Sequence, residues 1–145
     1  MASVDYPFSI PYRISIPHRT IPNIGGVQPA AAVTLYNGDL ATDAVAILDS
    51  GCVFTIFSPE QAMLIGIEDV TTGSRERINT LAGGRAVYLF DLEIERRAAG
   101  TRFAGQVGFF DAHVPRNILD RSVVFAAFEI GFHERAQVIH LRPEA

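Results

Sequence analysis

The sequence predicts an all-β fold with two short helices. Three observations lead there. Apolar residues recur at every second position along most of the 145-residue chain, turn-forming Asn-Gly and Gly-Gly pairs separate such runs, and only two stretches offer a helix start.

Taken in order, Phe8, Ile10, Tyr12, Ile14 and Ile16 alternate with Ser9, Pro11, Arg13 and Ser15, which is a strand pattern. Pro11 lacks the amide that a central strand donates, so this strand is expected at an edge. A loop rich in Gly and Pro follows at 21–29. Residues 1–28 are therefore read as an N-terminal segment, edge strand plus loop, ahead of a single domain at 29–145. The runs 30–36 and 42–50 flank Asn37-Gly38, a pair that favours positive φ, and predict a hairpin. Ser58 as cap, Pro59 in the first turn and Gln61 completing a capping box predict a short helix that Gly66 ends. A second hairpin is expected to pair 75–81 with 86–95 around a tip at 82–84, with Tyr88, Phe90, Leu92 and Ile94 on one face. Residues 102–110 read as a further strand, and the stretch 116–128 contains the second helix, capped by Asn117. The segments 128–132 and 137–141 close the chain as a hairpin, which brings the count to about seven strands.

Composition narrows the function. The net charge is −4 and no basic cluster stands out, so nucleic acid is not an expected partner. The N-terminus lacks the continuous apolar run of a signal peptide, and no stretch approaches the ~20 apolar residues of a membrane helix. A lone Cys52 excludes an internal disulfide and fits a reducing compartment, so a cytoplasmic location away from membranes is expected. His18, His113, His133 and His140 are scattered without ligand spacing, and neither metal nor cofactor is expected. Cys52 reads as a small buried thiol rather than a nucleophile. Ser50 has no G-x-S-x-G elbow around it, and Arg96-Arg97 reads as a solvated strand end.

Asp49 breaks the pattern. The apolar run Val45, Ala46, Ile47, Leu48 delivers a single carboxylate, which is costly at the end of a core strand unless something uses it. A local role is available to it, since a turn aspartate bonds nearby amides. The stretch "AVAILDSGCVFTIFS" at 44–58 also resembles the active-site strand and turn of aspartic proteases, above all the retropepsin-like branch. Two apolar residues precede Asp49, Thr55 lies six positions after it, and Ile56-Phe57 follow, as in that family. The hairpin with Gly83-Gly84 stands where the family has its flap. "NILDR" at 117–121 stands where the family has an apolar pair, a Gly and an Arg before the C-terminal helix. The ordered likeness covers roughly residues 29–141.

The resemblance implies a closed barrel-like acid-protease fold with one lobe per chain. It implies an endopeptidase with Asp49, Ser50 and Gly51 as the catalytic triplet, the Ser50 hydroxyl locking the turn across to a partner subunit. Such chemistry uses two carboxylates about 3 Å apart that share one proton, the ionised one activating water and the protonated one donating to the scissile carbonyl. With one motif per chain the pair requires a homodimer, the Asp49 residues meeting on its two-fold axis. By the same resemblance, an extended peptide substrate adds as a strand beneath the flap. Ile47, Cys52, Ile56 and Ile118 then line its side-chain pockets, and Ala82, Gly83 and Gly84 cover it. Two departures stand out. Val53 and Phe54 replace two carboxylates that bind substrate backbone and pair with the helix Arg, which leaves Arg121 without that partner. Asp120 replaces a Gly close to the turn, where a carboxylate would crowd the dyad, raise its pKa values, or point to solvent from the helix first turn. These departures keep a second reading open: a non-catalytic module that retains the fold for dimerisation or peptide binding.

Overall fold

Two hairpins and a strand threaded between their neighbours build most of the molecule. The computed structural model describes residues 8–11, 13–14, 27–49, 51–80, 83–96, 100–114, 116–121 and 124–143. The strands are β1 (Phe8–Pro11), β2 (Arg13–Ile14), β3 (Val27–Gln28), β4 (Ala30–Asn37), β5 (Leu40–Leu48), β6 (Thr55–Phe57), β7 (Ser74–Thr80), β8 (Gly83–Arg96), β9 (Thr101–Phe109), β10 (Asn117–Leu119), β11 (Phe128–His133) and β12 (Val138–Pro143). Helix α1 spans Pro59–Leu64 and α2 spans Val124–Ala127.

The expected first hairpin forms with Asn37 paired to Leu40, and Gly38 at φ 60° takes the positive-φ position of its two-residue turn. The strands run in the order β4-β5-β10-β6-β9-β8, and β8 returns to β4 through Val33↔Arg96 to Tyr36↔Glu93. That pairing closes a six-stranded barrel, which removes the open edges a flat sheet would expose. Strand β7 hangs outside the ring on the first half of the 14-residue β8. A separate sheet, ordered β1-β12-β11, packs the two ends of the chain together, with Pro11 of the edge strand opposite Val138.

Alternation explains the core. Leu35, Phe57, Ile65, Ile94, Phe109 and Leu119 are fully buried, and Ile139, Leu141 and Phe128 of the terminal sheet join the same cluster. Phe90 meets Phe109 edge to face at 5.8 Å between centroids. A second cluster, Ile56, Val87, Leu89, Phe110 and Val114, lies on the other face of β6, with Cys52, Phe54 and Ile78 packed on it.

The structure departs from the sequence expectations in four places. Residues 117–119 are a strand rather than helix, because Ile118 and Leu119 find partners on both sides: parallel with Ile47 and Leu48, and antiparallel with Ile56. Asn117 therefore caps no helix. Its Oδ1 accepts the Ser58 N–H at 3.1 Å and its Nδ2 donates to Val45 O at 3.1 Å, clipping β5 to the start of α1. The capping box is absent for the same reason. Ser58 makes no side-chain cap bond, and Gln61 Oε1 accepts instead from Thr42 Oγ1 at 3.2 Å. Helix α1 ends as expected, with Gly66 at φ 84° and its N–H on Met63 O. Arg96 is no solvated strand end but is 5% exposed, its Nη1 donating to Ala32 O at 3.0 Å across the seam that closes the barrel; Arg97 lies outside the described residues.

The fourth departure is the second hairpin tip. Thr80 pairs with Gly83, and Gly83 and Gly84 open β8 rather than cap the hairpin. Ala82 lies outside the described residues. Gly83 has φ 107°, and a Cβ on Gly84 would fall 2.6 Å from Arg77 Nε, so the bare backbone lets the Arg77 guanidinium lie across it.

The Asn117 clip carries a prediction. Asn117→Ala strands the buried Ser58 N–H and the Val45 carbonyl, and should cost about 1–3 kcal/mol. Urea unfolding should show a lower midpoint at unchanged slope. An unchanged midpoint would show that water replaces both bonds.

Candidate active site

Strand β5 ends where the chain leaves the barrel wall, and two backbone bonds mark the place. Leu48 N–H donates to Pro29 O at 2.8 Å and Asp49 N–H to Leu119 O at 3.0 Å. The chain then turns: Cys52 N–H donates to Asp49 O at 3.2 Å, and the Asp49 carboxylate accepts the Gly51 N–H at 2.9 Å. A Cβ on Gly51 would lie 3.2 Å from Asp49 Oδ1, so the small residue leaves room for the carboxylate to fold back on its own turn. On the far side Arg121 N–H donates to Cys52 O at 3.1 Å. Residues 119 and 121 thus hold the two ends of the turn. The local bond of a turn aspartate is present, yet the Asp49 side chain stays exposed. A lone carboxyl group at the surface keeps its water and costs little.

Between those two grips sits Asp120, whose side chain is fully buried. Its Oδ1 accepts from Thr55 Oγ1 at 2.6 Å, and its N–H donates back to the same hydroxyl at 3.1 Å. Asp120 therefore turns inward, which removes the expectation that it points to solvent. Thr55 is equally buried.

The remaining candidates fall around the turn. Ile47, Ile118 and Ile56 stand in register across β5, β10 and β6. Ile47 shares the face of Asp49, two residues on. Ile47 and Ile118 are half-buried, while Ile56 is closed into the second cluster. Cys52 is half-buried and its thiol donates to Phe54 O at 3.0 Å. Burial pushes that thiol above its usual pKa, and the charges of Asp49 and Asp120 push the same way, so it behaves as a packed thiol rather than a nucleophile. Val53 is exposed, and Phe54 leans into the second cluster. That cluster also takes Ile78 of β7 and Val87 and Leu89 of β8, which roots the second hairpin beside the turn. Gly83 and Gly84 stand at its exposed far end. Ser50 lies outside the described residues.

Two hydrogen-bonded groupings beside the turn escaped the sequence reading: the Asn117 clip and the Thr55–Asp120 pair. The only signal was isolated polar residues inside apolar runs, Thr55 in "VFTIF" and Asp120 after "NIL". Of the histidines, His113 Nδ1 lies 3.0 Å from Glu60 Oε1 at the surface, and His133 and His140 are neighbours with centroids 6.4 Å apart; His18 lies outside the described residues. Among the described residues no group of three or more His, Cys, Asp or Glu could hold a metal ion. No helix among them is long and apolar enough to cross a membrane.

The fold is similar to that of known proteases. A retropepsin-like aspartic protease from Rickettsia conorii superposes with a TM-score of 0.59 over 91% of this chain and 97% of its own, at 12% identity. EIAV protease, in complex with the inhibitor HBY-793, superposes with a TM-score of 0.53 over 68% of this chain and 86% of its own, at 16% identity. No family model and no curated protein matches the sequence. At such identities the likeness shows the fold, and the fold is retropepsin-like.

Proposed function

We propose that the chain is an aspartic endopeptidase that acts as a homodimer. One observation carries the reading. In a retropepsin-like fold, the single exposed carboxylate at the end of β5 is oriented by its own turn amide and gripped from behind by residues 119 and 121. Two such turns facing each other across a two-fold axis would set the Asp49 carboxylates within hydrogen-bond reach. Like charges that close cannot both ionise, so the pair would hold one proton. The ionised member takes a proton from water as it attacks the peptide carbonyl, and the protonated member donates to the carbonyl oxygen. The Ser50 hydroxyl would tie one turn to its copy, and the hairpin of β7 and β8, with Gly83 and Gly84 at its end, would serve as the flap over an extended peptide. The half-buried Ile47, Ile118 and Cys52 would supply the apolar floor, with Ile56 closed into the core rather than open to substrate. With Val53 and Phe54 where carboxylates would grip substrate backbone, recognition beside the turn rests on apolar contact.

The reading is tested by digesting a peptide library at acid and neutral pH while following mass in solution. Cleavage is expected from a species of about twice 15.8 kDa, the stoichiometry a shared dyad demands. A monomer that stays monomeric in the presence of cleavable peptides removes the enzyme and leaves the peptide-binding module.

A further inference from the structure

The Asp120 carboxylate is the group that the proposed reaction does not use. A buried carboxyl group is expensive unless it is hydrogen-bonded, and an apolar side chain would avoid that cost. The structure instead seats a carboxylate, fully removed from water, under the turn that carries Asp49. Its partner is equally determined. The Thr55 hydroxyl gives its hydrogen to Oδ1 and takes the Asp120 N–H on its oxygen, so it has one orientation. The flanking residues reach the turn directly, Leu119 O receiving the Asp49 N–H and Arg121 N–H reaching Cys52 O. The segment 119–121 is thus a three-point brace: its two outer residues hold the ends of the turn, and its middle residue is pinned to Thr55, where the chain re-enters the barrel. Both Asp49 and Asp120 also push the Cys52 thiol pKa upward, after the larger effect of its burial.

We infer that Asp120 is a positioning residue for Asp49, its buried carboxylate locking Thr55 and so fixing the turn at 49–52 on which the Asp49 carboxylate is aimed. The consequence for turnover rests on the endopeptidase reading. The lock on the turn does not, and the two are measured separately.

The test compares Asp120→Ala and Asp120→Gly, which both remove the oxygen that accepts the Thr55 hydroxyl, with Thr55→Val and the conservative Thr55→Ser. Amide hydrogen exchange is followed by NMR alongside peptide hydrolysis. In both Asp120 variants and in Thr55→Val the Cys52 amide should exchange about tenfold faster, while Leu35 and Ile94 in the barrel keep the wild-type rate. In the same variants kcat should fall about tenfold or more with KM little changed, since aim rather than binding is lost. Thr55→Ser should restore both. Turn exchange equal to wild type, or exchange raised evenly through the barrel, overturns the lock. A wild-type kcat in a variant whose turn is loosened overturns its role in turnover. A wild-type protein that cleaves no peptide defeats the endopeptidase reading alone, and exchange at Cys52 still decides for or against the lock.

Discussion

Asp49→Asn should reduce peptide cleavage by about 10²–10⁴-fold, the usual worth of a positioned proton-transfer group. The substitution is close to isosteric. Its amide oxygen can still accept the Gly51 N–H, and the bonds from its own N–H to Leu119 O and from Cys52 N–H to its own carbonyl involve only backbone, so the turn should keep its shape. In the proposed dimer the ionisable oxygen disappears from both subunits at once, and no other described carboxylate can substitute: Asp120 is closed off from solvent and held by Thr55. The variant should therefore remain folded and assembled, and the assembly should hold as well or better with two like charges removed. In the wild type, rate against pH should follow a bell, because full protonation leaves no base and full ionisation leaves no acid. Cleavage by Asp49→Asn at the wild-type rate would place the chemistry elsewhere.

Sequence patterning and pairing geometry divide the explanation between them. The hairpin at Asn37-Gly38, the long apolar face of β8 and the carboxylate at the end of β5 were readable because each is local: a turn pair, a period of two, an interruption. Strand β10 was not readable. "NIL" is three residues long, and nothing within it says that β5 and β6 leave a gap of that width. Its strand state is decided by partners distant in sequence, which override helix signals nearby. The same limit hid Arg96. Two adjacent arginines at a strand end read as solvated, yet the curvature that closes the barrel folds one of them over Ala32. The second hairpin slipped by a residue or two for a different reason. Glycine pairs signal turns through positive φ, and Gly83 does adopt it, but as the first residue of the strand after the turn. For the candidate site, residue types along the chain identified the turn, while the brace beneath it came from contacts across 65 residues.

Phe57→Ala should cause the largest loss of stability, and the reason lies in β6. That strand has only three residues, all buried, and it separates two clusters: Ile56 faces Val87, Leu89 and Phe110, while Phe57 enters the main core. Its pairing is short, antiparallel to β10 at Ile56 and parallel to β9 over Thr55 to Phe57. Side-chain burial rather than ladder length therefore holds it. Phe57 is 0% exposed and lies beside Phe109, itself packed on Phe90. Truncation leaves a cavity that a closed barrel cannot collapse, at a cost of about 3–5 kcal/mol. That is a large share of the ~5–15 kcal/mol available to a domain of ordinary stability, and the melting temperature should fall by about 10 °C or more. Met63→Ala, at a side chain 66% exposed on α1, is the control and should change stability by less than about 0.5 kcal/mol. Calorimetry on the two variants separates them. A Phe57→Ala loss below about 1 kcal/mol would mean that β6, and with it the turn hung between β5 and β6, is anchored by its backbone pairing rather than by the core.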